Sequence, residues 1–258
     1  VETERPCFLQ LFGSDAKCMA DAALLALAFK PDAIDINAGC PAPKIVKSGD
    51  GSALMKNPAL CGELVAAVKS AVSVPVTVKI RAGIDAEHIN AVDVALECEK
   101  NGADCVYVHG RTREQLYSGS SDPTVIAAVK AALKIPVVAN GDVTDAASAT
   151  ALLEETGADG VMVARGAMGN PWIFSEIAAA LEHRPYTPPT ADERLSLIKE
   201  HIAVHIAEKG ERALPELRKH LSWYIHGLPG SAAARAEINK ATTGQELYSL
   251  LSLVFLPQ

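Results

Sequence analysis

The sequence predicts an α/β chain: a parallel (β/α)8 barrel of the TIM type, with six of its eight β/α units present, followed by a small all-helical domain. Three observations lead there. Short apolar runs starting near residues 8, 33, 76, 105, 136 and 160 alternate with longer helical stretches, six times over. Each run stops at polar residues or at Gly and Pro, as buried parallel strands do where they open into loops. Beyond about residue 183 only helical periodicity remains. Six units over about 180 residues match the ~31 residues per unit of an eightfold barrel of about 250, so the first two strands are expected to be missing. A doubly wound open sheet is the alternative, but the first loop lacks the GxGxxG of its nucleotide-binding form.

The elements follow in order. Residues 7–12 (CFLQLF) read as a core strand, and Ser14 or Asp15 can cap a helix over 15–29. Pro31-Asp32 leads into a strand over 33–37. Pro41 and Pro43 bar helix straight after Cys40, which sets its thiol on a stiff turn beyond a strand end. Asn57-Pro58 opens a helix to Val72, and 76–81 is the third strand. A helix over 86–100 closes on Asn101-Gly102, before a strand over 105–109. Asp122-Pro123 is a cap with first-turn proline for 122–132. A strand over 136–140, a helix over 145–156 and a strand over 160–164 complete the barrel part, assigned to residues 1–182. Gly102-Ala103-Asp104 and Gly157-Ala158-Asp159 form a near-repeat, each at the return from helix to strand. In the domain assigned to 183–258, Thr190 and Glu193 have capping-box spacing at the start of a helix over 191–208. Helices over 213–226, 231–240 and 244–255 follow.

Composition narrows the function classes. The chain has 258 residues, 49% of them hydrophobic, without a long apolar run or a signal-peptide pattern, so a soluble cytoplasmic protein, off the membrane, is expected. Its six cysteines form no CxxC pair and read as reduced thiols; no metal is expected. A net charge of −7 argues against indiscriminate nucleic-acid binding. The charge is uneven: residues 1–182 carry −8 and residues 183–258 carry +1, which allows a local basic face in the helical part.

Every strand ends in groups able to do chemistry: Gln10, Asn37 with Cys40, Lys79 with Arg81, His109 with Arg111, Asn140-Gly141-Asp142, and Arg165 with Gly166. Parallel strands present these ends on one rim. Lys79 closes an apolar strand, where it either pairs with a structural carboxylate or offers a fixed cation to negative charge developing in a reaction. Gly141 allows close backbone approach to a ligand. Ala164-Arg165-Gly166 opens onto Ala167–Trp172, read as a helix start and so as a seat for phosphate.

The strings DINAGCPAPK, VTVKIR, VYVHGRTREQLYSG, VVANGD and VMVARGAMGNPWIF, running from Gln10 to Phe174, resemble the tRNA-dihydrouridine synthase family. The stretch Leu217–Pro229 resembles the helical domain of its bacterial B subfamily. The resemblance implies flavin-dependent reduction of specific tRNA uridines to 5,6-dihydrouridine, with NADPH reducing FMN, hydride passing to C6 and a proton from Cys40 to C5. It implies FMN contacts at Gln10, Lys79, His109, Asn140, Gly141, Asp142, Ala164 and Arg165. Uracil contacts are implied at Asn37, Arg111 and Lys44. An ordinary thiol titrates near about 8.5 and so carries a proton to give at neutral pH. In the helical part Arg218, Lys219, Arg235 and Lys240 are expected at phosphates, with Trp223 and Tyr224 packed between helices. The partners expected are tRNA and NAD(P)H, for a monomer. Another FMN barrel reducing a small pyrimidine or an enone, and a flavin-free tRNA-binding product, are the competing readings.

Overall fold

The computed structural model of the protein describes residues 4–255; the outermost residues of both expected domains, 1–3 and 256–258, lie outside the described residues. The chain runs β1 (Phe8–Leu11), α1 (Ala16–Ala26), β2 (Ala33–Asn37), α2 (Pro43–Lys47), α3 (Pro58–Ala71), β3 (Val76–Arg81), α4 (Ala91–Lys100), β4 (Cys105–His109), α5 (Pro123–Ala132), β5 (Val137–Asn140), α6 (Ala146–Thr156) and β6 (Gly160–Met162). Five further helices follow: α7 (Ile173–Leu181), α8 (Ala191–Lys209), α9 (Leu214–Tyr224), α10 (Ser231–Ile238) and α11 (Gly244–Phe255). Two compact units result. The first runs to Val143 and takes in Ala147–Val163; the second comprises Thr144–Ala146 and everything from Ala164 onward.

In the first unit all six strands are parallel and lie in the order β1-β2-β3-β4-β5-β6. Because side chains alternate along a strand, register decides each face. The rows Ile36–Val78–Val106–Val137 and Ile80–Val108–Ala139 share one face, and all seven are at most 1% exposed. The other face carries Gln10–Asp35–Thr77–Cys105, then Asn37–Lys79–Tyr107, then Arg81–His109–Asn140. One sheet face is thus aliphatic and the other polar, as in a barrel whose lumen does chemistry. Helices α1, α3, α4 and α5 pack each on the next.

The Gly-Ala-Asp repeat has a physical cause. The Asp104 carboxylate accepts from Val76 N at 2.7 Å and from Lys69 Nζ at 2.5 Å. Asp159 accepts from Val137 N at 2.8 Å and from Lys130 Nζ at 2.7 Å. Asp32, placed equivalently before β2, accepts from Cys7 N at 2.6 Å and Arg5 Nη1 at 2.9 Å. In each case a carboxylate entering one strand caps an amide at the start of the strand before it, the first residue of β3 and β5 and the residue just ahead of β1.

Three expectations are corrected. Strand 7–12 is the edge strand 8–11, with Phe8 44% and Phe12 56% exposed. Residues 41 and 42 carry no helix, as expected, and α2 begins only at Pro43, in the first helical position, where a missing N–H leaves no bond unmade. The helix expected from 86 begins at Ala91: Asp85 accepts from the amides of Glu87 and His88, and Gly83 bridges Ile89, so the segment before it is a turn. The helix start expected at 167 is a single 3-10 turn, Arg165–Ala167; Gly169 at φ +72° and Pro171 delay α7 to Ile173.

The second unit's core is built by α8, α9, α10 and α11. Leu195, Ile198 and Ile202 on α8 meet Leu214, Leu217 and Leu221 on α9, with Ile238, Leu247 and Leu251 closing the cluster. The i, i+3, i+7 spacing puts each trio on one stripe. A Cβ on Gly169 would overlap the backbone at Trp223, so the loop before α7 runs hard against the end of α9. At the start of α8, Thr190 Oγ1 accepts from Glu193 N at 3.3 Å and Glu193 Oε2 accepts from Thr190 N at 2.7 Å. Thr190→Ala removes one half of this box and should cost about 1 kcal/mol, read as a lower urea midpoint at unchanged slope. Among the described residues no helix is long and apolar enough to cross a membrane.

Candidate active site

The rim at the carboxyl ends of β1 to β5 gathers most of the expected residues of the first unit. Asn37 pairs in register with Lys79, Arg81 with His109, and His109 with Asn140. The loop bearing Cys40 is pinned to β3: Ala38 N donates to Lys79 O at 2.8 Å, and Arg81 Nε donates to Gly39 O at 2.8 Å. From the near side Asn37 Oδ1 accepts from Gly39 N at 3.1 Å and Cys40 N at 2.8 Å, an Asx turn. Ser52 N donates to Cys40 O at 3.0 Å. The backbone of Cys40 is therefore held on both its polar groups while its half-buried side chain holds none of the loop.

Burial sets the electrostatics of the rim. The Lys79 ammonium makes no hydrogen bond to any described residue; burial first, and the Arg81 guanidinium second, bring it down to about 7 against the pull of Asp35. His109 is 8% exposed, and burial together with Lys79, Arg81 and Arg111 takes its ring down to about 3, so it is a neutral imidazole. Burial pushes the Tyr107 phenol up to about 12 and raises the Asp35 carboxyl above the usual carboxylate range.

Arg111 stands beside His109, with Nη1 3.5 Å from Nε2, and its guanidinium is taken up by protein partners. It is 2% exposed and grips Asp142 through two bonds of 2.8 Å. Its other donors go to Ser118 O at 3.1 Å and Gly119 O at 2.6 Å. Asp142 also accepts from Ser121 N at 2.9 Å, so this pair ties the loop after β4 to the end of β5. Gly141, at φ +132°, has no room for a Cβ, which would overlap Ser121 and come within 3.2 Å of His109 Cδ2. Asn140 Nδ2 donates to Met162 O at 2.9 Å.

Lys44 is exposed on α2 and hydrogen-bonds none of the rim residues. Ala164 and Arg165, both exposed, begin the second unit and belong to its description. In that unit Arg218 donates to Ala241 O at 2.7 Å, Lys219 stands 5.3 Å over the Trp223 ring, and Lys240 pairs with Glu237 at 2.8 Å. Trp223 and Tyr224 are half-buried, Tyr224 with its hydroxyl 3.1 Å from His201 Nδ1.

Residue-by-residue reading passed over Asp35 and Thr77 and gave Arg81 no role. Asp35 is 7% exposed and bonded to Gln10 and Thr77, each at 2.6 Å. The signal was available: Ala-Ile-Asp-Ile-Asn and Val-Thr-Val-Lys-Ile-Arg carry a polar residue at every second position of otherwise aliphatic strands.

Comparison with known proteins bears on this site. The family model described as "Dihydrouridine synthase (Dus)" matches residues 1–255. A Synechocystis sp. protein named "Probable tRNA-dihydrouridine synthase 1" is 44% identical over 253 residues, covering 96% of this chain and 70% of its own. The "tRNA-dihydrouridine synthase B" of Pseudomonas putida is 43% identical over 236 residues, covering 91% and 70%. Among solved structures, D-glucarate dehydratase from Agrobacterium tumefaciens superposes with a TM-score of 0.51 at 12% identity, over 72% of this chain and 48% of its own, a likeness of fold alone.

Proposed function

The chain belongs to the dihydrouridine synthase family of enzymes, and from that footing we propose that it reduces uridines in tRNA to 5,6-dihydrouridine at the polar rim, with FMN resident there and NADPH as reductant. One observation carries the reading: the Cys40 loop is hydrogen-bonded directly to the strand end that presents Lys79.

The residues present suit a flavin. Lys79 offers an ammonium without a hydrogen-bond partner among the described residues, beside a neutral His109, and Gly141 lets a flat ring approach where a side chain could not stand. Gln10, Lys79, His109, Asn140, Gly141 and Asp142 would hold the ring system, and Ala164 with Arg165 the phosphate. A flavin held by these residues would supply the hydride chemistry for uracil C6.

The chain's own residues do the rest. Cys40 Sγ gives a proton to C5. Lys79 balances negative charge at the ring edge while His109 adds none. Asn37 orients the base beside the thiol. Arg111, with Asp142 and two carbonyls on its guanidinium, acts by shaping the loop after β4. Yellow colour with absorbance near about 450 nm, and loss of dihydrouridine from tRNA in cells lacking the gene, test the whole reading. A colourless protein that still binds tRNA, or one that reduces free pyrimidine and not tRNA, would replace it.

Extruding a base costs a few kcal/mol, so the enzyme needs a grip on the rest of the RNA. In the proposal Lys219, Arg235 and Lys240 of the second unit contribute to it. The double variant Lys219→Ala with Arg235→Ala should make the plot of log affinity for tRNA against log salt shallower by about 1.5. An unchanged slope would mark these groups as an ordinary solvated face.

A further inference from the structure

The polar sheet face contains an unbroken hydrogen-bond relay ending at the thiol-bearing loop. Asp35 Oδ2 accepts from Gln10 Nε2 at 2.6 Å, and Gln10 Oε1 accepts from Asn37 Nδ2 at 2.8 Å. Asn37 Oδ1 in turn accepts from Gly39 N at 3.1 Å and Cys40 N at 2.8 Å. The other Asp35 oxygen accepts from Thr77 Oγ1 at 2.6 Å.

The order of donors and acceptors is dictated from both ends. Both Asp35 oxygens accept, so Gln10 turns its amino group to Asp35 and its carbonyl to Asn37. Asn37 must then donate to Gln10, which leaves its carbonyl oxygen for the loop. At the far end, two backbone N–H groups demand an acceptor. Both requirements agree at Gln10 and Asn37, two side chains that could each have flipped. Asp35 is the side chain of the relay that cannot flip an amide, and its burial strengthens the chain it starts.

We infer that Asp35 is a positioning residue: through Gln10 and Asn37 it sets the polarity that holds the Gly39 and Cys40 amides and so aims the Cys40 thiol. This deepens the proposed function and rests on Cys40 being its proton donor. Asp35 itself touches no reacting atom.

The test is iodoacetamide labelling of Cys40 in the full chain, followed by peptide mass spectrometry with the exposed Cys18 as internal reference. Asp35→Leu leaves Gln10 Nε2 without its acceptor; the loop loosens and labelling of Cys40 should rise about fivefold. Turnover on tRNA should fall alongside. Adding Gln10→Glu gives Asn37 Nδ2 a partner that can only accept, and labelling should return to within about twofold of wild type. Wild-type labelling in Asp35→Leu, or no recovery in the double variant, overturns the relay. Should the single variant fail to fold, the double decides: folded with wild-type labelling supports the inference, and any other result overturns it. Labelling needs neither flavin nor RNA. A failure of the proposed function would appear separately, as full activity in Cys40→Ala.

Discussion

Cys40→Ala should keep its flavin and its tRNA affinity and lose about 10²–10⁴-fold in the rate of dihydrouridine formation, the usual worth of a positioned proton donor. The reason lies in how the loop is built. Its anchors are the amide of Cys40 bonded to Asn37, its carbonyl bonded to Ser52, and Gly39 O bonded to Arg81. Alanine keeps all three, so the substitution removes the proton and little else. Rates of product formation by the purified variant, compared with its absorbance spectrum, make the check. A variant that turns over like wild type would end the proton-donor role, and one that arrives colourless would show the loop itself had failed.

Lys79→Met should strip the flavin from the protein, with affinity falling by about 10- to 100-fold if one charge-assisted contact is lost. A pH signature accompanies it. In the free protein the ammonium is brought down to about 7 by burial and by Arg81, and an anionic group bound beside it restores the charge. Binding then takes up a proton above pH about 7, so affinity weakens with rising pH by up to about tenfold per unit in the wild type. In Lys79→Met that dependence should vanish. The same shift has a consequence for stability. Between about 7 and the ordinary lysine value of 10.5 the unfolded chain binds more protons than the folded one, so folding stability rises with pH across this window. The burial penalty is fully present below pH about 7. Methionine removes it, and the gain in stability over wild type should be largest there. Flavin fluorescence titrations and urea midpoints on either side of neutrality test both statements; a pH-independent wild-type affinity would remove Lys79 from the anion's neighbourhood.

How much of this was legible depended on distance along the chain. The six strands and their polar ends stand out because a buried parallel strand is a short aliphatic run, and each ends abruptly. The candidate site was legible as a set of ends for the same reason. What escaped were facts that exist only once strands are in register. Asp35 and Gln10 lie 25 positions apart, and nothing local says they pair. Arg111 reads as a rim group by position, yet its partner Asp142 lies 31 residues on, and that pairing takes up its guanidinium. The delay of α7 is local, and Gly169 with Pro171 announced it; the barrel precedent of a helix after the last strand outweighed them. Asp35 was overlooked because a lone acid in an apolar strand invites no role until its two donors are known.

The carboxylates of Asp32, Asp104 and Asp159 stand where strands begin, whereas the thiol and ammonium stand where strands finish. Anchorage and chemistry are thereby assigned to opposite poles of one sheet. Selection can harden such a scaffold against heat at its floor without retuning the reaction above, and can revise the reaction without loosening the floor.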